Sequence, residues 1–268
     1  MSKTILITGA SDGIGLEAAK LLASDGHRVL LHGRSTSKLA RVLEQHPVLA
    51  DCHVIAADLS DLAATARMAQ EVKRRFGALD VLINNAGVFA VADPATPSGL
   101  DARFVVNTIA PYLLTRELLT IFAPEGRILN LSSAAQSPLS EPALLGKEPL
   151  SDSAAYAQSK LAITSWSRSL ALELPNGPAI IAVNPGSLLA TKMVRDAYGL
   201  AGKDVGHGAR ILAELATSPD HAEASGLYFD NDAERFAPPH PDALAPSKGA
   251  RLIQLMDDIL SHHLKGNL

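Results

Sequence analysis

A single cysteine, Cys52, stands in the whole chain, so no intrachain disulfide can form and no zinc site can be built from several thiolates. No run of about eighteen apolar residues occurs, which excludes a hydrophobic membrane span, and the apolar start Ile5-Leu6-Ile7 is too short for a secretory core. An excess of either charge is also missing: 24 basic side chains face 28 acidic ones, so the surface lacks the positive field that nucleic acid or an anionic membrane selects. These properties together predict a cytoplasmic protein with neither nucleic acid nor membrane as partner. Several catalytic signatures are absent too. There is no G-x-S-x-G elbow and no H-E-x-x-H pair, and Gly146-Lys147 lacks the rest of a phosphate-binding P-loop. Asp230-Asn231-Asp232 begins like a calcium loop but lacks its glycine, and His262-His263 reads as a solvated terminus, so no metal is expected.

Hydrophobic residues make up 47% of the 268, enough for a sizeable core. They fall in short runs that read as buried strands: residues 4–7, 28–31, 53–56, 81–83, 128–131, 180–183 and 227–229. Helical stretches alternate with them; Leu62, Ala66, Ala69, Val72 and Phe76 form one apolar face while Arg67, Lys73 and Arg74 face water. Alternation of this kind predicts right-handed βαβ units in one doubly wound (Rossmann) α/β domain, with a mostly parallel sheet of about seven strands and helices on both faces. No composition break divides residues 1–268. Residues 1–130 are expected to be mainly the cofactor half, and 131–268 the catalytic and substrate half.

After the first strand comes Gly9-Ala10-Ser11-Asp12-Gly13-Ile14-Gly15, opening a helix. Glycines suit a tight strand-to-helix turn against which a pyrophosphate must lie, and the helix N-terminus offers unpaired N–H groups to the anion. The second strand ends in His32-Gly33-Arg34-Ser35, with no acid to hold the 2′-hydroxyl of NAD. Arg34 and Ser35 can instead take a 2′-phosphate through charge-assisted bonds of about 1.5–3 kcal/mol each, so NADP(H) is favoured over NAD(H). Asp12 opposes this with a negative charge. Asp58-Leu59 after the third strand and Asn85-Ala86-Gly87 after the fourth complete the expected floor.

Tyr156 and Lys160 lie four apart in a helix predicted to start near Ser153, on one face. A free phenol has a pKa near 10; an adjacent ammonium favours phenolate and makes the tyrosine a usable acid/base. Ser132 and Ser133 close the fifth strand, and either hydroxyl can reach a substrate oxygen. Asn107 sits inside a helical stretch that it disfavours, which points to an assigned partner.

Taken in order, Gly9-x-x-x-Gly13-Ile14-Gly15, Asn84–Gly87, Asn107, Ser132-Ser133, Tyr156-x-x-x-Lys160 and Asn184-Pro185-Gly186 resemble the short-chain dehydrogenase/reductase family over essentially the full length. The resemblance implies a tetrad of Asn107, Ser133, Tyr156 and Lys160, the second serine holding the motif position. It implies that Lys160 lowers the tyrosine pKa and binds the nicotinamide ribose, and that Ser133 orients the substrate oxygen. Asn107 would help hold a proton-relay water. Pro185, Gly186 and Thr191 would touch the nicotinamide end. The long segment between Ser133 and Tyr156, with Pro138, Pro142 and Pro149, is similar to the retinol-dehydrogenase-like branch. The expected partner is a small carbonyl or alcohol, lipophilic if Phe89, Leu139, Leu144, Leu145, Leu188, Met193 and Tyr198 form its walls. A regulatory protein that senses NADP(H) without chemistry is the alternative, disfavoured because the tyrosine and lysine are both present. The residues neither require nor exclude a homo-oligomer.

Overall fold

The computed structural model describes residues 1–187, 189–190 and 202–264. Four of the expected site and wall residues, Leu188, Thr191, Met193 and Tyr198, lie outside that set. Eight strands form one sheet: β1 (Thr4–Ile7), β2 (Arg28–Gly33), β3 (His53–Ala56), β4 (Leu79–Asn84), β5 (Phe122–Leu131), β6 (Ala179–Asn184), β7 (Tyr228–Asp230) and β8 (Arg235–Ala237). Their spatial order is β3-β2-β1-β4-β5-β6-β7-β8; all neighbours run parallel except β7 and β8. The sheet is the expected mostly parallel one, with an eighth strand added at its edge. That strand is a three-residue return after the polar turn Asn231–Glu234, where Glu234 takes φ +53°, and so short a segment carries no periodicity to read.

The strands alternate faces. Leu6, Leu30, Leu82, Ile128 and Ile180 join one apolar core, while Ile5, Ile7, Val29, Leu31, Val81, Ile83, Leu129 and Ile181 join another on the opposite side. The first core is closed by α3 (Leu62–Phe76), α5 (Ala110–Leu118), α7 (Asp152–Glu173) and α9 (Pro246–Leu264); the second by α1 (Gly13–Ser24), α2 (Thr36–Gln45) and α8 (Val205–Thr217). Ahead of α5 come a single turn, α4 (Ala102–Phe104), and a π-helical stretch, Val105–Ile109. A four-residue helix, α6 (Glu141–Leu144), interrupts the loop between β5 and α7. The strand order reverses between β1 and β4, so their carboxyl ends flank a crevice, the place where doubly wound sheets bind ligands. No helix among the described residues is long and apolar enough to cross a membrane.

Candidate active site

A cavity of about 1150 Å³ opens along that crevice. Its first wall is the turn after β1. Gly9 and Gly13 adopt φ +66° and +56°, a region L side chains avoid. A Cβ on Gly9 would stand 2.9 Å from the Cα of Ala86, and one on Gly15 only 2.4 Å from Asn85 Nδ2. Asn85 Nδ2 donates to the carbonyls of Thr8 (2.8 Å) and Gly9 (3.1 Å), and Thr8 Oγ1 accepts the N–H of Ala86 (3.0 Å). Gly9, Ser11, Asp12, Gly13, Ile14, Ala86 and Gly87 thus share one wall, which leaves close backbone approach for a pyrophosphate. Gly15 is different: it is buried beneath this wall, against Asn85 and the Gly9 carbonyl, and keeps the turn tight.

Under the same turn lies a residue that the sequence reading passed over. His32 is buried, its Nδ1 accepting the N–H of Gly9 (3.2 Å) and its Nε2 facing the carbonyl of Ala57 (3.0 Å), which fixes the neutral Nε2–H tautomer. Burial lowers its pKa from 6.5 to about 4. The unfolded chain therefore binds a proton that the fold rejects, and stability present above pH 6.5 is lost as pH falls towards about 4, by about 3 kcal/mol. His32→Ala is expected to flatten urea-derived stability across that window; an unchanged slope would show that His32 is not the group responsible.

At the far end, Arg34 is exposed on the cavity rim and has no hydrogen-bond or ion-pair partner among the described residues. Asp12, whose charge opposed a phosphate here, is ion-paired with Lys38, in the first turn of α2 and on the same wall. Ser35 also lines the cavity, yet its hydroxyl caps α2 by accepting from Lys38 N (3.2 Å). Asp58 and Leu59 are on the wall, with Asp58 accepting from the N–H and hydroxyl of Ser60 (2.9 and 2.8 Å).

The other end gathers the reactive groups. Ser151 caps α7 by accepting from Ala154 N, so the helix starts at Asp152 and presents Tyr156 and Lys160 to the cavity. Lys160 Nζ lies 5.5 Å from the Tyr156 ring centroid and donates to the Leu131 carbonyl (2.6 Å); desolvation lowers its pKa to about 8. Both serines line the cavity, but their hydroxyls differ. Ser132 Oγ is buried, donating to the Lys160 carbonyl (3.0 Å) and meeting Thr164 Oγ1 (2.6 Å), so it staples β5 to α7. Ser133 is half-buried on the wall, where its Oγ accepts from Ala135 N (3.1 Å). Asn107, in the π-helical stretch, is fully buried and off the cavity wall. Its Oδ1 accepts Val88 N (2.8 Å), and its Nδ2 donates to the Val88 carbonyl (2.9 Å) and Ser159 Oγ (3.0 Å). Ser159, between Tyr156 and Lys160 in sequence, was the missed member, because a serine inside a helix usually marks nothing.

Pro185 and Gly186 line the same end, held from behind: Asn231 Nδ2 donates to the Pro185 carbonyl (2.8 Å) and Asn184 Oδ1 accepts Gly186 N (3.2 Å). The apolar side of the cavity differs from expectation. Phe89 is there, its ring centroid 5.0 Å from that of Tyr156, but Leu139, Leu144 and Leu145 pack into the core beneath the loop. Val91, Ala92, Pro97, Val106, Ala134 and Leu189 take their place. The segment after Gly87 is on the wall, as its position after the fourth strand suggested, but with Val91 and Ala92 beside Phe89.

A doubly wound sheet whose crevice holds a glycine turn at one end and a tyrosine–lysine pair at the other has the layout of a nucleotide-binding α/β fold. Comparison with known proteins shows which enzyme class this is: oxidoreductases of one family. The short chain dehydrogenase family model matches residues 3–198. Retinol dehydrogenase 12 of Mus musculus is 32% identical over 251 residues, covering 87% of this chain and 79% of that protein. The WW domain-containing oxidoreductase of Drosophila melanogaster is 31% identical over 252 residues, and the chain spans 62% of its length. A short chain dehydrogenase from Burkholderia cenocepacia, solved in complex with NADP, superposes with a TM-score of 0.67 at 28% identity, covering 85% of this chain and 95% of that one. The chain belongs to the short-chain dehydrogenase family.

Proposed function

We propose that the protein transfers a hydride between NADP(H) and a lipophilic carbonyl or alcohol, with Tyr156 as general acid/base. The observation that carries this is the placement of Tyr156 and Lys160 on the apolar end of the same cavity whose other end is the Gly9–Gly13 turn. The residues fit a dinucleotide: the cavity wall at Gly9, Gly13, Ala86 and Gly87 carries no side chain larger than a methyl, so an anion can reach the backbone, and Arg34, unpaired among the described residues, supplies a cation on the same cavity for a 2′-phosphate. When bound, the nicotinamide supplies or accepts the hydride. Tyr156 gives its phenolic proton to the carbonyl oxygen in reduction and takes it from the alcohol in oxidation. The Lys160 ammonium favours the phenolate form, and Ser133 Oγ holds the substrate oxygen. Asn107 acts from behind the wall, keeping Val88 and Ser159 in register. Pro185 and Gly186 belong to the nicotinamide end. Residues 1–130 mainly hold the cofactor but also give the substrate wall between Phe89 and Val106, while 131–268 carry Ser133, Tyr156 and Lys160.

NADP(H) preference follows from charge. Pairing with Lys38 neutralises Asp12 and leaves Arg34 available. Arg34→Gln is expected to weaken NADPH binding about ten- to a hundredfold while leaving NADH nearly unaffected. Fluorescence titration of both nucleotides checks this, and equal effects on the two would remove Arg34 from the phosphate site. The substrate is best sought among aldehydes and ketones of graded size, because the wall near Phe89 and Val91 rewards burial of apolar surface.

A further inference from the structure

Arg103 stands outside the chemistry described above and is almost wholly buried, its side chain 3% exposed. It lies on α4, one turn before Asn107. Its guanidinium grips two carboxylates. Nε and Nη2 donate to the two oxygens of Asp101 (2.8 and 2.5 Å), and Nη1 donates to Asp152 Oδ1. Asp101 ends the segment that forms part of the substrate wall: Ala95 pairs with Asp101, the Pro94 carbonyl accepts Ala102 N (2.8 Å), and Thr96 and Pro97 face the cavity. Asp152 is the first residue of α7, one turn before Tyr156.

The same two helical strips are tied again further along. Asn107 Nδ2 donates to Ser159 Oγ and Thr108 Oγ1 to the Ser159 carbonyl (3.0 and 2.9 Å), while Ser159 Oγ donates to the Tyr156 carbonyl (2.7 Å). Tyr156 therefore sits between two fixings of its helix, Asp152 on one side and Ser159 on the other. The loops above the clamp are also joined. Gly146 and Gly99 both take positive φ, and a Cβ on Gly146 would lie 2.7 Å from the Gly99 carbonyl, so the segment before α7 rests directly on the substrate-wall segment.

We infer that Arg103 is a positioning residue for Tyr156: through Asp101 and Asp152 it locks the first turn of α7 to the wall against which the substrate lies. A planar, five-donor guanidinium suits this better than an ammonium, because it bonds two carboxylates at fixed angles. Nothing in the clamp touches the nucleotide end of the cavity. The inference rests on the proposed function of Tyr156, and its test separates the two.

Reduction of decanal by NADPH is followed in wild type, Arg103→Gln, Asp152→Asn and the double variant, with NADPH affinity measured separately. Each single variant is expected to lower kcat about ten- to a hundredfold, the loss that misplacement of a reacting group by an ångström brings, with NADPH affinity unchanged. The double variant should be no worse than Arg103→Gln, which already removes the contact that Asp152→Asn weakens. Arg103→Lys should recover part of the loss. Asp152 is half exposed, so Asp152→Asn decides the matter even if Arg103→Gln fails to fold. Wild-type kcat in Asp152→Asn, losses that multiply in the double variant, or parallel loss of NADPH affinity would overturn the inference. A wild type that binds NADPH but reduces neither decanal nor benzaldehyde would instead sink the proposed function beneath it.

Discussion

Replacing Tyr156 by Phe is expected to reduce turnover about a hundred- to ten-thousandfold while leaving NADPH affinity as it was. Only the hydroxyl is removed. The ring keeps its place beside Phe89, 5.0 Å between centroids, and the glycine turn that would hold the pyrophosphate lies at the other end of the cavity. The loss should appear in kcat and kcat/KM together, the pattern of an interaction made only in the transition state. Steady-state kinetics with an equilibrium titration of NADPH separates the two effects. A variant with near wild-type turnover would remove Tyr156 as the acid/base, and a parallel collapse of cofactor binding would make its role structural.

Lys160→Met should be as inactive and, in the cofactor-free protein, more stable. Lys160 is buried with no carboxylate partner among the described residues, and desolvation lowers its pKa from 10.5 to about 8. The unfolded chain holds that proton up to pH 10.5, the folded one only to about 8. Between these values the unfolded state binds more protons, so wild-type stability rises with pH across the window. Below pH 8 the penalty is fully present, about 3 kcal/mol for a shift of this size. Methionine fills similar volume without a charge. Its variant is therefore expected to be more stable at pH 7 and to lose the rise between about pH 8 and 10.5, measured by urea unfolding. A variant that is less stable at pH 7 would show that the Leu131 carbonyl bond outweighs desolvation. The chemistry of this site thus carries a stability cost that the fold offsets elsewhere.

Much of this arrangement is legible in the sequence because its signals are local. A parallel strand buried on both faces is an apolar run, and a phosphate turn demands glycine where φ is positive, so β1, Gly9 and Gly13 announce themselves. Helical period puts Tyr156 and Lys160 on one face, and their order after the glycine turn and Ser133 and before Pro185-Gly186 is what singles them out. What stays hidden depends on partners distant in sequence. Ser132 and Ser133 are chemically alike and both line the cavity; only the approach of Thr164 and Lys160 from α7 ties up the Ser132 hydroxyl and leaves that of Ser133 free to donate. Asp12 reads as a charge hostile to phosphate until Lys38 folds onto it. Leu139, Leu144 and Leu145 look like wall residues because apolarity does not say which side of a loop is inside. The buried roles of His32 and Arg103 need Ala57, Gly9 and Asp152 in place before they exist at all.

The most direct test of the central claim is NADPH consumption by the purified protein in the presence of decanal and benzaldehyde, with the alcohol product quantified. Carbonyl-dependent oxidation of NADPH, one alcohol formed for each nucleotide and faster than with NADH, is the expected result. Tight NADPH binding with no carbonyl-dependent oxidation would contradict the account and leave a cofactor-sensing protein on this fold.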